Sequence, residues 1–273
     1  MTPQFTGIAR SVEFSPNHES NDAAIMRLTQ EAIEARGYRV QMVTEDELPT
    51  VTVQGPVVFH MCQGPRSMAW LGRLEEQGKL LINSHDAVRN CYRTFMTERF
   101  AENQIPFPRT LIVDTADDRL PEEAGSMSSL WVKRGDVHAT QKSDVVRVDS
   151  PGDAKSVLKA MHERGIDRAV LQEHVAGDVI KFYGIHKNGF FEWYHSEGPG
   201  TRPVDADLLR EQAERAAGAT GLSIYGGDLV VHDNGITLID LNDWPSFARF
   251  RDRASVKIAD QILKEARAHG RID

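Results

Sequence analysis

Three oxygen-bearing side chains near the C-terminus could hold a divalent metal ion. Asp228 lies in GDLVVHD, and Asp240 and Asn242 lie two residues apart in LIDLN. The Asn-Gly pair between these segments predicts a β-hairpin, and a three-residue turn with Gly235 in the left-handed conformation would place Asp228 directly opposite Asp240. Carboxylate and amide oxygens suit Mg²⁺, which completes its shell with water and nucleotide phosphates. The hairpin therefore predicts a Mg²⁺ site that works with a nucleotide.

Two directly opposed carboxylates repel each other unless a cation or a proton offsets the charge. We therefore expect that replacing Asp228 or Asp240 by asparagine abolishes turnover but leaves the stability of the metal-free protein unchanged or higher. The alternative interpretation is that Asp240 and Asn242 simply face solvent on an edge strand.

A cationic segment follows the second strand of this hairpin. The stretch WPSFARFRDR carries Arg249, Arg251 and Arg253, and in a helix Arg249 and Arg253 would share a face because they are four residues apart. Such a patch beside a metal site favours an anionic acceptor, either a carboxylate or a phosphate. The alternative is a surface patch whose arginines pair with Asp243 and Asp252.

A second hairpin is predicted in IKFYGIHKNGFFEWYH, again at an Asn-Gly pair. A three-residue turn at 187–189 would place Lys181 opposite His195, and we expect both side chains near the substrate. Arg202 lies in the loop EGPGTRP, which could close over the substrate. For His195 the alternative is a packed or surface histidine.

The elements that must position these residues fall into two groups. The first third of the chain alternates strands and helices, which predicts a parallel sheet with ligands beyond the carboxyl ends of its strands. The loops SPNHES and CQGPRS lie there and offer Asn17, His18 and Arg66 as weaker candidates, for which capping or surface roles are the alternative.

The remaining elements predict two further units. SHDAVRNCYRTFMTERFAENQ is predicted to form one long helix that ends before IPFPRT. Strands and one helix then indicate a small α+β domain, and the two hairpins follow. The predicted fold class is α/β and α+β, with an N-terminal α/β domain (1–84), a connecting helix (85–106), a central subdomain (107–176) and a C-terminal subdomain (177–273).

Composition limits the function classes. The 273-residue chain is 40% hydrophobic and 26% charged, with a formal net charge of −8, so nucleic acid and anionic membranes are not expected partners. The two cysteines, Cys62 and Cys91, form no CxxC pair, which predicts a reduced, cytoplasmic location. No signal peptide or membrane-spanning segment is expected. The sequence carries no indication of oligomeric state.

Taken in order, several segments resemble the ATP-grasp superfamily over roughly residues 80–265. The paired acids of GDLVV and LIDLN match the metal ligands of that family, and LWVK matches the strand whose lysine, here Lys133, reaches the ATP phosphates. NCYRTFM resembles the helix that carries another phosphate-binding cation, here Arg93. The resemblance implies the ATP-grasp architecture, in which two α+β subdomains sandwich ATP after an N-terminal parallel-sheet domain.

The segment LQEHVAGDVIKFYG resembles the linker that binds adenine through backbone groups. This resemblance assigns adenine to Glu173, His174 and Val175, assigns the ribose to Asp178, and places Lys181 near the transferred phosphate. Many ATP-grasp ligases have a glycine-rich flap after the first lysine, whereas this chain has KRGDVHATQKSD with one glycine. Its cationic side chains could cover phosphates or contact substrate instead, as we expect for Arg134, His138 and Lys142. For His138 and Lys142 a solvated turn is the alternative.

The resemblance implies phosphoryl transfer from Mg²⁺-ATP to a small anionic substrate, with catalytic roles for Lys133, Arg93, Lys181 and Arg249. The favoured interpretation is a carboxylate–amine ligase that works through an acyl phosphate, as in the D-alanine–D-alanine and ribosomal-protein glutamate ligases. The alternative is a small-molecule kinase, because parts of the sequence look like the inositol trisphosphate 5/6-kinases. A second alternative is a non-catalytic nucleotide-binding module.

Overall fold

The computed structural model describes residues 4–15, 19–117 and 119–273, so the candidates Asn17 and His18 lie outside the described residues. The N-terminal part forms a parallel sheet in the order β2-β1-β3-β4. Its strands are β1 (Phe5–Ala9), β2 (Val40–Thr44), β3 (Val57–His60) and β4 (Leu80–Ile82).

Two amphipathic helices cover this sheet. Helix α1 (Glu19–Glu34) packs Ile25, Met26 and Ile33 on one face of the sheet. Helix α2 (Pro65–Glu76) packs Met68, Leu71 and Leu74 with residues of the other face. With the buried Thr29 included in α1, each set recurs at the three- and four-residue spacing of one helical face, which is why these segments form helices against the sheet.

The connecting segment forms two helices, so the prediction of one long helix is wrong. Helix α3 (His85–Arg89) starts at the N-cap Ser84, and helix α4 (Arg93–Glu102) starts after Tyr92, whose backbone is extended. The Asn90 side chain donates to the Thr220 carbonyl, which holds the break against the C-terminal part. The break places Arg93 in the first turn of a new helix.

The central part forms an antiparallel sheet in the order β5-β8-β6-β7, packed on helix α5 (Pro151–Glu163). Its strands are β5 (Thr110–Asp114), β6 (Leu130–Arg134), β7 (Val145–Val148) and β8 (Arg168–Glu173). Short 3₁₀ helices occur at Val12–Phe14, Glu45–Glu47, Glu122–Ser126 and Lys142–Asp144.

The C-terminal part forms a second antiparallel sheet in the order β10-β9-β11-β12. Its elements are β9 (Asp178–Ile185), β10 (Phe191–His195), helix α6 (Ala206–Thr220), β11 (Ile224–His232), β12 (Gly235–Asp243) and helix α7 (Arg251–Ala268). Helices α4 and α6 pack on one face of this sheet, and its other face turns toward the central sheet.

Helix α7, near the C-terminus, packs against the N-terminal part of the chain. Ile258, Ile262 and Leu263 of α7 share one core with α1, with the N-terminal sheet and with Trp244. The predicted fold class is confirmed: a parallel α/β sheet is followed by two antiparallel sheets with their own helices. In the described residues, no helix is both long and apolar enough to cross a membrane.

Candidate nucleotide and metal site

The hairpin β11–β12 brings the two acidic residues together. Asp228 lies directly opposite Asp240, as predicted, but the predicted three-residue turn is wrong. A two-residue loop joins His232 to Gly235, and the register then shifts so that Ile239 has no partner across the ladder. This β-bulge restores the pairing that the shorter turn would have lost.

Each opposed carboxylate has its own cation. Asp228 Oδ1 accepts a hydrogen bond from Lys181 Nζ at 2.9 Å, and Asp240 Oδ2 accepts one from an Arg93 guanidinium nitrogen at 2.7 Å. Lys181 lies beside Asp228 because the two residues are paired between β9 and β11. The repulsion expected between the acids is therefore already offset before any metal binds.

Asp240 is the more strongly held of the two acids. Burial alone would raise the pKa of its carboxyl group, but Arg93 and Lys133 outweigh burial and lower the pKa to about 2. Its second oxygen, Oδ1, is buried and has no hydrogen-bond partner among the described residues. Asp240 is thus ionised at neutral pH and keeps one oxygen free for a further ligand.

These residues fit a hard cation whose shell a nucleotide completes. Asn242 lies on the same face of β12 as Asp240, and Asn242 and Asp228 both line a large cleft. Within residues 4–15, 19–117 and 119–273 there is no cluster of three or more His, Cys, Asp or Glu residues that could hold a metal. Two carboxylates and one amide are few ligands, as expected for Mg²⁺ bound together with phosphates.

Lys133 lies in a smaller cavity of about 150 Å³ between the two antiparallel sheets, together with Asp228 and Asp240. The lysine is 5% exposed, and its Nζ donates to Gln172 Oε1 at 2.6 Å and to the Ile239 carbonyl at 3.1 Å. The bulge therefore presents the carbonyl that orients Lys133. Burial lowers the pKa of Lys133 to about 8, although Asp240 opposes this shift.

The predicted adenine linker borders this inner cavity. Glu173 and Val175 line it, and both also line an outer cavity of about 370 Å³ that includes His174. His174 Nδ1 accepts a hydrogen bond from Trp131 Nε1 at 3.1 Å, which holds the histidine ring against β6. The linker thus stands at the edge of the space between the sheets, where a planar base could enter.

The large cleft, of about 770 Å³, lies on the other side of Asp228. Lys142 and His138 from the loop between β6 and β7 line it, as do Lys181 and Asn242. His138 Nε2 lies 2.8 Å from Asp243 Oδ1, so the loop is fastened to the end of β12. Three predicted cations, Lys142, His138 and Lys181, therefore share one cleft with the metal residues.

Arg134 has a different position from the one predicted. Its guanidinium group donates to Asp136 at 2.6 Å and lies 3.6 Å from Asp144, a buried residue of the same loop. These contacts hold the loop in shape, and Arg134 is not among the residues that line the cleft. The expected substrate contact of Arg134 is not supported by this geometry.

The predicted register of the first hairpin is wrong by one residue. Four residues, 186–189, separate the paired residues Ile185 and Phe190, so that Lys181 lies opposite Tyr194 and His195 lies opposite Ile180. A one-residue shift reverses the face of every side chain on the strand. Tyr194 consequently lines the cleft, whereas His195 lies on the opposite face of β10, and the expected substrate contact of His195 is not supported by this geometry.

Asp178 and Arg202 pair with each other away from the cleft. Asp178 accepts hydrogen bonds from the backbone N–H groups of Thr201 and Arg202 at 2.7 and 2.8 Å. Arg202 also donates to Asp233 at 2.9 Å. The loop 196–205 is thus fixed to the β11–β12 turn, and closure of Arg202 over the cleft is not supported by this geometry.

The three arginines after β12 have separate partners. Arg249 stacks on the Tyr194 ring, 3.8 Å from its centroid, and Arg253 pairs with Glu192 at 2.8 Å. Both partners belong to β10, but Arg249 precedes α7, which begins at Arg251, so the two arginines do not share a helical face as the sequence suggested. Arg251 donates to Asn21 at 2.6 Å instead. The alternative pairing with Asp243 and Asp252 is absent from the ion pairs of the described residues.

Several cleft residues escaped the sequence analysis. Arg10 and Gln63, in the loops after β1 and β3, line the cleft, and Gln172 on the buried strand β8 lines the smaller cavity beside Lys133. Asp243 was considered only as a surface partner for arginines, yet it is 1% exposed. Its position directly after Asn242 was the available signal. Arg66, by contrast, lines a separate N-terminal cavity of about 360 Å³.

Comparison with known proteins supports the fold but no finer assignment. No family model matches the chain. A curated relative, the tetrahydromethanopterin:alpha-L-glutamate ligase of Methanocaldococcus jannaschii, is 21% identical over 212 residues, which are 68% of this chain and 69% of the relative.

Two solved structures cover nearly the whole chain. D-alanine–D-alanine ligase from Bacillus anthracis, complexed with ATP, has a TM-score of 0.75 and 13% identity, and the match covers 97% of this chain and 98% of that one. The ATP-grasp ligase PsnB, complexed with a minimal precursor, Mg and ADP, has a TM-score of 0.66 and 16% identity over 96% and 97% of the two chains. At such low identities, these likenesses show a shared fold.

Proposed function

We propose that this chain, which has the ATP-grasp fold, is an ATP-dependent ligase that joins a carboxylate to an amine through an acyl phosphate. One observation carries the proposal: Asp228 and Asp240 are opposed across β11 and β12, with Lys133 beside them in the cavity between the two antiparallel sheets. This is the arrangement of acids and cation that a Mg²⁺-bound triphosphate requires.

The nucleotide would lie between the sheets. Adenine would contact the linker of Glu173, His174 and Val175, and the triphosphate would extend past Lys133 toward Asp228. Asp240, Asp228 and Asn242 would hold Mg²⁺, which would offset the negative charge of the phosphates. Lys142 would approach the phosphates from the loop between β6 and β7.

Arg93 and Lys181 would have different tasks. Arg93 is 4% exposed and bonded to Asp240, so its role would be to hold this ligand in place, although the sequence pointed to a direct phosphate contact. Lys181 lines the cleft and its side chain is 44% exposed, so it can move from Asp228 to the transferred phosphate. Arg249, stacked on Tyr194 beside the cleft, would act from its rim.

The reaction would proceed in two steps. A carboxylate oxygen of the acceptor attacks the γ-phosphorus of ATP, and ADP leaves with the bridging oxygen. The amine then attacks the acyl carbon, the bond to the phosphate oxygen breaks, and inorganic phosphate departs. Lys133 and Lys181 would stabilise charge in the first step, because phosphoryl transfer depends chiefly on positioning and electrostatics.

The nature of the acceptor is supported by charge and by the relative's name. Of the three arginines, Arg251 and Arg253 are occupied by Asn21 and Glu192, which leaves few free cations for a polyphosphate. This favours a carboxylate over a phosphorylated polyol. The curated relative is named as a glutamate ligase, which supports an amino acid as the amine.

The test is hydroxamate formation. The protein is incubated with Mg²⁺-ATP, hydroxylamine and pools of carboxylic acids, and both ADP and hydroxamate are measured. Acid-dependent hydroxamate, absent in Asp240→Asn, would support a ligase. Transfer of phosphate to inositol phosphates without hydroxamate would identify a kinase, and binding of Mg²⁺-ATP without turnover of any acceptor would identify a non-catalytic nucleotide-binding module.

A further inference from the structure

We propose that His138 is the base that accepts the proton of the attacking amine, and that Asp243 is the residue that positions it. The proposal rests on the ligase function given above. It concerns the second step of the reaction, for which none of the nucleotide-binding residues supplies a free base.

The two side chains form a hydrogen-bonded pair in which the histidine donates and the carboxylate accepts. His138 Nε2 lies 2.8 Å from Asp243 Oδ1. A carboxylate oxygen accepts hydrogen bonds, and the same Oδ1 also accepts one from Gln63 Nε2. Nε2 of His138 therefore carries the hydrogen of this pair, and Nδ1 carries the lone pair of a base.

Asp243 is held rigidly enough to orient the ring. It is 1% exposed, and the same Oδ1 accepts a second hydrogen bond from Gln63 Nε2 at 3.3 Å. Its other oxygen is buried without a hydrogen-bond partner in the described residues. Gln63 comes from the N-terminal part, His138 from the central part and Asp243 from the C-terminal part, so the pair forms where all three meet.

The pair lies beside the reacting groups. His138 and Asp243 line the same cleft as Asp228, Asn242 and Lys181. Asp243 directly follows Asn242 on β12, so this member of the dyad shares a strand with two of the metal residues, Asp240 and Asn242. An acceptor whose acyl phosphate formed next to Asp228 would therefore have His138 on the wall of the cleft it occupies.

The other titratable side chains that line the cleft are occupied. Asp22 accepts from Arg10 at 3.0 Å and from Ser15 Oγ at 2.7 Å. Lys181 is paired with Asp228, and the Tyr194 ring is covered by Arg249. The hydroxyl group of Tyr183 lies 3.3 Å from that of Tyr194. Lys142 is a cation suited to phosphate and carries no lone pair while protonated.

The chemical step is balanced as follows. The amine nitrogen forms a bond to the acyl carbon of the acyl phosphate, and the carbon–oxygen bond to phosphate breaks with its electron pair on the departing phosphate. Before the attack, the ammonium group of the amine loses one proton to His138 Nδ1, and the second proton that the nitrogen loses on forming the amide leaves with the phosphate. Asp243 accepts the hydrogen bond from Nε2 and stabilises the imidazolium, which then passes its proton to solvent.

The first test needs no substrate. Protein labelled with ¹⁵N-histidine is examined by NMR at pH 7.5, and the His138 ring signals are assigned by their loss in His138→Gln. We expect hydrogen on Nε2 and a bare Nδ1, and a loss of this preference in Asp243→Asn. Hydrogen on Nδ1, protonation of both nitrogens, or an unchanged signal in Asp243→Asn would overturn the proposal.

The second test distinguishes a proton-accepting role of His138 from a role in which its hydrogen bond to Asp243 only holds the loop in place. His138→Gln can still donate a hydrogen bond to Asp243 but has no basic nitrogen. Hydroxylamine is a neutral nucleophile at pH 7.5, whereas an amino acid ammonium must lose a proton. With the carboxylic acid that gives hydroxamate in the wild type, we expect His138→Gln to form hydroxamate at the wild-type rate and amide from an amino acid at least 100-fold more slowly.

The controls distinguish the possible failures. His269→Gln, at the exposed C-terminal end of α7, should leave both rates unchanged. Equal losses of hydroxamate and amide formation in His138→Gln would show that His138 only holds the loop in place. Unchanged amide formation would show that His138 is not the base, and either result overturns the proposal. Absence of hydroxamate in the wild type would count against the ligase function itself, while the NMR result would still decide the state of His138.

Discussion

At the residue scale, two acids that look equivalent in the sequence differ in their surroundings. Asp240 pairs with Arg93, whose side chain is 5% exposed, whereas Asp228 pairs with Lys181, whose side chain is 44% exposed. Removing one member of a buried pair leaves an uncompensated charge, whereas an exposed pair contributes little to stability. This geometry argues against the expectation that Asp240→Asn preserves stability.

This difference predicts that the matched variants Asp240→Asn and Asp228→Asn differ in their free energy of unfolding. Without Mg²⁺ or nucleotide, Asp240→Asn should lower the free energy of unfolding by about 3–5 kcal/mol because Arg93 remains buried and unpaired. Asp228→Asn should change it by about 0–1 kcal/mol. Urea denaturation measures both, and both variants should lose ATP turnover. Equal stabilities would show that the Arg93 charge is compensated elsewhere.

Lys133 predicts a pH-dependent affinity for nucleotide. Its pKa of about 8 means that the free protein loses this positive charge as pH rises through 8, whereas phosphate binding requires the charged form. Affinity for a non-hydrolysable ATP analogue should be full below that pH and fall above it, approaching tenfold per pH unit. Titration calorimetry from pH 7 to 9 measures this. Lys133→Arg, which stays charged, should abolish the dependence, and a wild-type affinity that is flat with pH would contradict the assignment.

At the element scale, the hairpins show how turn length and irregularities place side chains. In β11–β12 a short turn and a bulge combine, so that Asp228 still meets Asp240 and the Ile239 carbonyl turns to Lys133. In β9–β10 a longer turn reverses the face of β10 and brings Tyr194 into the cleft. Because side chains alternate along a strand, one residue of register decides which of them can reach substrate.

Gly227 is expected to be sensitive to substitution, because β11 passes close to β12 at this position. A Cβ on Gly227 would overlap the Asp240 carbonyl oxygen and lie 2.6 Å from Phe182 Cζ. Gly227→Ala should therefore displace β12, lower stability by about 1–3 kcal/mol and weaken Mg²⁺-nucleotide binding. Thermal unfolding and calorimetry measure the two effects.

The control for this variant is a glycine with room for a side chain. A Cβ on Gly218, within α6, would come no closer than 3.6 Å to its nearest neighbour, His186. Gly218→Ala should raise stability by about 0.5–1 kcal/mol and leave nucleotide binding unchanged. Nucleotide binding by Gly227→Ala at the wild-type level would mean that β12 can shift without moving Asp240.

At the scale of the whole molecule, the cleft is assembled from distant parts of the chain. Residues after β1 and β3, the loop between β6 and β7, and strands β9 to β12 all line it. Helix α7 packs on α1 and on the N-terminal sheet in a single core, although the sequence assigned it to the C-terminal subdomain. The relative positions of the cleft walls therefore depend on this shared core.

This shared core predicts cooperative unfolding of the two ends. Ile262→Ala on α7 should cost about 2–5 kcal/mol, because the side chain is fully buried. N-terminal and C-terminal probes, such as fluorescence of Trp70 and of Trp193 in single-tryptophan variants, should report one common transition. Val256→Ala on the same helix is the control, since Val256 is 44% exposed and should change stability by less than about 0.5 kcal/mol. Separate transitions for the two probes would contradict a shared core.

The sequence by itself determined the fold class and the positions of the two hairpins, because strand periodicity and Asn-Gly turns are local properties of the chain. Only the tertiary structure decided the bulge that pairs Asp228 with Asp240, which cation each acid receives, that Asp243 is buried against His138, and that His195 faces away from the cleft. These depend on a bulge, on a turn length and on contacts between residues 47 to 147 positions apart. Such contacts arise from packing between elements, and residue type and spacing along one segment do not encode them.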